Sequence, residues 1–232
     1  MSNTLTIYHG SFKIIEQPTH GAGNPYNDYG LGFYCTESAE LAKEWACSID
    51  MDGYANRYSL DLEGLSVLSL TNGNYNILNW LAILLENRTF RVGGEVARQA
   101  KEYILNNFLI EYRSYDVIKG YRADDSYFSF ASAFLNNTIS ISQLEKAMVL
   151  GKLGEQIVLM TSRAFGAVRF EGADTAPKEI YLPQKLARDT AAREAFKTEK
   201  SKTSVLNEKY IIDIMREGWN NDDDRLQRIV LR

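Results

Sequence analysis

Cysteine and histidine are scarce in this chain. Cys35 and Cys47, with His9 and His20, are all that 232 residues provide. Two thiols make no disulfide framework, and no CxxC or HExxH spacing points to a zinc centre. Surplus basic charge is also missing: 26 Lys plus Arg stand against 30 Asp plus Glu, a net charge of -4. That gives no support to a broad basic groove for nucleic acid and leaves room for a local patch. The longest apolar run, Trp80–Leu85, falls well short of the ~20 residues that span a bilayer. The opening MSNTLTIYHG has neither the basic stretch nor the apolar segment of a secretory leader. These absences predict a reducing, cytoplasmic setting without membrane attachment, in which the sequons Asn87-Arg88-Thr89 and Asn136-Asn137-Thr138 stay unmodified. The phosphate loop GxxxxGK[ST], the GxSxG elbow and the kinase motifs are lacking as well. Gly30-x-Gly32 runs into Phe33-Tyr34-Cys35, so the dinucleotide fingerprint fails at its third glycine.

What is present fits a globular protein, with 45% hydrophobic and 24% charged residues. Alternation predicts a strand from Thr4 that ends at Tyr8-His9-Gly10. A long Gly-, Pro-, Asn- and Tyr-rich loop follows over Gln17–Leu31, a length associated with function in a compact domain. A short strand, Gly32–Cys35, leads to a helix capped by Thr36, with Glu37 and Glu40 in its first turn and Leu41 and Trp45 on a core-facing stripe. Strands are predicted over Arg57–Leu62, Ser66–Leu70, Tyr115–Tyr121, Glu155–Thr161 and Ala167–Phe170. Helices are predicted over Asn76–Glu86, Glu95–Asn106, Ser129–Asn136 and Ser142–Leu150. Beyond Gly172 the charge density rises, and helices are expected over Lys185–Lys200, Leu206–Gly218 and Asp224–Leu231. The fold class is therefore α+β with helices inserted between strands. Residues 1–171 form the main domain and 172–232 a charged helical C-terminal appendage. The apolar stripe Leu206, Tyr210, Ile214, Met215 and Trp219 packs on that domain or meets a partner.

Two clusters carry candidate chemistry. Tyr8-His9-Gly10-Ser11 lies at a strand end, where Gly10 admits close backbone approach and Ser11 adds a hydroxyl. A single histidine is more often structural, and the glycines and aromatics of Asn27–Thr36 also suit a plain turn and core strand. Cys35 beside His9 would suit thiol hydrolysis only with an activated thiol, and its apolar neighbours favour packing. His20 reads as solvated.

Taken together, Tyr8-His9-Gly10-Ser11, Asn27-Asp28-Tyr29-Gly30-Leu31-Gly32-Phe33-Tyr34 and the helix with Ala42-Lys43-Glu44-Trp45-Ala46 resemble the ADP-ribosyltransferase superfamily. The likeness is to its diphtheria-toxin and poly-ADP-ribose-polymerase branch, and closest to an uncharacterised bacterial family within it. The resemblance implies a split β-sheet core and NAD as substrate, with no metal. It implies that His9 holds a ribose, that the backbone at Gly10 reads the nicotinamide amide, and that Tyr34 stacks on the nicotinamide ring. Ser11, Asp28, Tyr29 and Gly32 would line the cofactor, and Arg122 would meet its pyrophosphate. The family's catalytic glutamate falls on Gln156 or on its neighbour Glu155. Only one of the two can face the site, because adjacent strand residues point opposite ways. Asp124 and Asp125 would activate or hold the acceptor, or else cap a helix. The implied activity is transfer of ADP-ribose to a protein or nucleic-acid acceptor, in a bacterial toxin or regulator with a possible antitoxin partner. The alternative is a weak or inactive NAD- or nucleotide-binding module of the same fold.

Overall fold

A computed structural model describes residues 3–89, 93–123, 125–150, 154–201 and 207–230. Two small sheets meet edge to edge. In the first, β1 (Thr4–Ser11) pairs antiparallel with β3 (Gly53–Asp61), and β3 pairs antiparallel with β8 (Val168–Ala176). The second has four strands in the order β2 (Phe33–Cys35), β7 (Glu155–Leu159), β6 (Val117–Tyr121), β4 (Val67–Ser69); its last pairing is parallel and the others antiparallel. An isolated bridge from Tyr8 to Thr36 sews the sheets together, with Tyr8 N–H donating to the Thr36 carbonyl at 2.7 Å and Thr36 N–H returning at 2.9 Å.

Alternation along β1, β3 and β7 buries Ile7, Tyr58, Leu60, Ile157 and Leu159 with Phe33 and Cys35 between the two sheets. A larger core lies on the helical side. There α2 (Ile77–Asn87) is apolar nearly all round and is buried from Ile77 to Leu85, as such a composition requires. The run Trp80–Leu85 is thus the interior of this helix. No helix among the described residues is long and apolar enough to cross a membrane. Asn76 starts α2 through a reciprocal cap with Asn79. Packed with it are α3 (Glu95–Phe108), α4 (Asp125–Leu135) and α5 (Ile141–Ala147).

Several expected elements are displaced. The cap of α1 (Ala39–Ala46) is Ser38, whose Oγ accepts from Leu41 N–H; the Thr36 backbone is engaged in the bridge to β1. A strand unforeseen from sequence, β5 (Asn72–Asn76), pairs with β9 (Arg228–Val230), where a helix over Asp224–Leu231 was expected. A short α6 (Ser162–Gly166) precedes β8. The long α7 (Lys178–Ser201) starts ahead of Lys185 and contains Pro183, and α8 (Ile211–Arg216) covers only part of the expected Leu206–Gly218. Leu206 lies outside the described residues. The expected boundary at 171/172 falls inside β8. Phe196, Ile211, Ile214, Trp219 and Leu226 belong to the same buried cluster as α2, so the C-terminal residues complete the main core rather than hang from it.

Candidate functional site

The seam between the sheets opens into a cavity of about 210 Å³ lined by His9, Gly10, Asn27, Asp28, Tyr34, Trp45, Arg88, Arg122, Ala123 and Gln156. A second lobe of about 370 Å³ shares His9, Asn27 and Tyr34 with it and runs beneath the loop of residues 15–24 to Gly32, Phe33 and Phe165. The two adjoining lobes reach the ~300–1,000 Å³ common for small-molecule sites.

His9 enters from β1. Its Nδ1 lies 2.7 Å from the Tyr34 carbonyl. A carbonyl only accepts, so Nδ1 carries the proton and Nε2 is the acceptor of the neutral ring. The imidazole stacks on Phe33, with centroids 4.3 Å apart. Burial lowers its pKa from the ordinary 6.5, which favours that neutral form. Gly10 has no side chain, so only its backbone can line the cavity. Tyr34 enters from β2. Its hydroxyl donates to the Gly30 carbonyl at 2.6 Å and accepts from Tyr29 N–H at 3.1 Å. Burial raises the phenol pKa further. The hydroxyl is thus spent on holding the loop, and Tyr34 offers its ring rather than an acid or a base.

On the opposite wall Asp28 is 3% exposed. Its Oδ1 accepts from Arg88 Nε at 2.9 Å and Nη2 at 2.7 Å; its Oδ2 accepts from Ala123 N–H at 2.9 Å and Gln156 Nε2 at 2.7 Å. Four donors satisfy the buried carboxylate. Arg122 lays its guanidinium over the Trp45 ring, 3.5 Å from the centroid. Among the described residues no group of His, Cys, Asp and Glu side chains is arranged to hold a metal ion.

A family model described as "Protein of unknown function (DUF3990)" matches residues 5–170. The chain belongs to the DUF3990 family. No curated protein and no solved structure matches it. The stretch matched by the DUF3990 model contains every residue that lines the two lobes.

Within this DUF3990 chain the sequence-derived residues divide into three groups. His9, Gly10, Asp28, Tyr34, Arg122 and Gln156 come together around one cavity, and Gly32 lines its second lobe. Three fall elsewhere. Ser11 accepts from Lys13 N–H at 3.2 Å and does not line either lobe. Tyr29 is 1% exposed and donates to the Tyr121 carbonyl at 2.7 Å; it holds the loop against β6 from inside the core. Glu155 turns away and accepts from Thr71 Oγ1, which leaves Gln156 as the residue of the pair that faces the cavity. Asp124 and the side chain of Asp125 lie outside the described residues; Asp125 opens α4. His20 ties its loop to the Met160 carbonyl at 3.1 Å. Cys35 is fully buried, and burial pushes its thiol up, which opposes thiol chemistry. Trp45, Arg88 and Asn27 are the residues that sequence reading missed. The helical period assigns Trp45 to the core stripe of α1, yet it borders the cavity. Arg88 lies sixty positions from Asp28, and no local pattern links the two.

Proposed function

We propose that this protein binds NAD in the two-lobed cleft, breaks the nicotinamide–ribose bond and passes ADP-ribose to a protein or nucleic-acid acceptor. One observation carries the reading: His9, Gly10, Tyr34 and Gln156, which come from three strands of two sheets, face one cavity. These are the positions on which the motif resemblance places ribose binding, amide reading, ring stacking and the catalytic side chain. The neutral His9 has its Nε2 available to accept a ribose hydroxyl. The Gly10 backbone supplies peptide groups of the kind that read an amide. Tyr34 and Trp45 supply flat faces. Arg122 supplies a cation of the kind that pairs with a diphosphate. In the reaction the nicotinamide leaves with the electron pair of the C–N bond. The positive charge that grows on the ribose is met by the acceptor oxygen of Gln156, and the acceptor nucleophile takes the sugar carbon and loses a proton.

A second reading is favoured by the same Gln156: a module that binds NAD or a related nucleotide and turns it over weakly or not at all. Glu155 is turned to Thr71, and Asp28 is matched by Arg88, so among the described residues the cavity wall carries no carboxylate without a cation partner. Incubation of a lysate with NAD labelled in its adenine half separates the readings. Transfer predicts label fixed to macromolecules by the wild type and reduced at least about 10-fold by His9→Ala and by Tyr34→Ala, the loss of one good contact each. Protease or nuclease sensitivity of the label then identifies the acceptor class. Binding of NAD by the purified protein without label transfer supports the module. Neither binding nor transfer overturns both.

A further inference from the structure

The way Gln156 faces its ligand is decided by its neighbour. A side-chain amide can turn either its carbonyl or its NH₂ toward a cavity. Here Nε2 donates to Asp28 Oδ2 at 2.7 Å, and both residues are almost fully buried. The other Asp28 contacts are also donors, from Arg88 and the Ala123 N–H. An ionised carboxylate only accepts. A flipped amide would set Oε1 against Oδ2 with no proton between them, leaving Oε1 without a donor on that side and Oδ2 with the Ala123 N–H alone. The amide therefore has one orientation, and Oε1 is the end left for a ligand.

We propose that Asp28 is a positioning residue: it fixes Gln156 as a one-way acceptor, so this point of the cavity selects ligand groups that donate a hydrogen bond, such as a ribose hydroxyl. The inference rests on the NAD reading above. It also explains why an amide stands at this place. A glutamate would set two carboxylates at hydrogen-bond distance beside an arginine already engaged, and one of them would have to take a proton.

Gln156→Glu tests this through calorimetric titration of the full-length protein with NAD across pH. At pH 8 the variant binds weakly. Toward pH 5.5 the introduced carboxyl, once protonated, donates to Asp28 and again turns its carbonyl to the cavity, so affinity relative to wild type rises about 10-fold. The charged and titratable groups that line the cavity with position 156 are Asp28, Arg88, Arg122, His9 and Tyr34. His9 is common to both proteins and burial disfavours its protonation in each, so the ratio reports chiefly the introduced carboxyl. A ratio independent of pH, or a variant as tight as wild type throughout, overturns the proposal. Asp28→Asn is the second arm. It loses about 10-fold in affinity alone, and Asp28→Asn with Gln156→Glu binds more tightly than Gln156→Glu, because the donor and acceptor have exchanged sides. A double variant no tighter than Gln156→Glu also overturns it. If the wild type itself binds no NAD, the functional reading falls and this role falls with it; binding by wild type with a flat pH ratio removes the positioning role alone.

Discussion

Gly10 is required by space rather than by backbone freedom. A Cβ at this position would lie 2.1 Å from the Ala42 carbonyl oxygen and 3.0 Å from Ala46 N, so β1 touches the backbone of α1 directly. Neither partner is a flexible side chain that could move aside. Gly10→Ala is therefore expected to destabilise the protein by about 3 kcal/mol or more, lowering Tm by roughly 6–12 °C. Gly166→Ala, where an added Cβ meets nothing within 4 Å, should leave Tm nearly unchanged, and thermal denaturation of the two variants checks both. The sequence marked Gly10 as a place of close approach, but it did not show that a helix as well as a ligand site approaches it. Residue by residue, what was legible was local: His9 at a strand end, Tyr34 in an aromatic run. Asp28 with Arg88, and Gln156 rather than Glu155, depend on register between segments far apart in the chain, which no local pattern encodes.

Among the elements, α5 holds an unfavourable charge. Burial pushes Glu145 up to about 7, with the Glu208 carboxylate adding to the rise and Lys146 opposing it. The raised value means that the folded protein binds this proton more tightly than the unfolded chain, whose carboxyl keeps its ordinary 4.5. The stability it contributes is complete below 4.5 and is lost as pH rises through about 7. Glu145→Gln should stabilise the protein at pH 8 by about 1–2 kcal/mol, with solvent screening allowed for, and should match wild type at pH 4. Chemical denaturation at the two pH values measures the difference. Most helices and sheet strands were legible because their apolar period is long and regular, as in α2 and α3. β5 and β9 were not. NGNYN and RIV carry little hydrophobic pattern and exist as strands because each supplies the other's partner.

For the whole molecule, the charge density beyond Gly172 suggested a separate appendage. A helix needs only a narrow stripe to join a core, however, and α7 buries Ala192, Phe196 and Glu199 beneath an otherwise charged surface. The Phe196 ring packs against that of Phe130, with centroids 4.0 Å apart and planes tilted by 38°. Gln143 Nε2 donates to the Glu199 carbonyl at 2.9 Å, and Ile141 N–H donates to the Lys209 carbonyl at 2.9 Å. A chain ended after Ala176 would leave Phe130, Trp80 and their neighbours without this cover. It should lose its cooperative thermal transition and bind a hydrophobic dye strongly. A sharp transition in that fragment would instead show that the first 176 residues fold alone.

The bridge from Tyr8 to Thr36 makes the junction of the two sheets a fulcrum. His9 follows one end of it and Tyr34 lies two residues before the other, joined across the seam by the imidazole–carbonyl hydrogen bond. Points beside a pivot travel least when the angle about it changes. A rocking of one sheet against the other would therefore shift the rim, where Gln17 to Asn24 overhang the second lobe, far more than the two rings at the base. Under such a motion the entrance would change in width while the recognising groups kept their spacing.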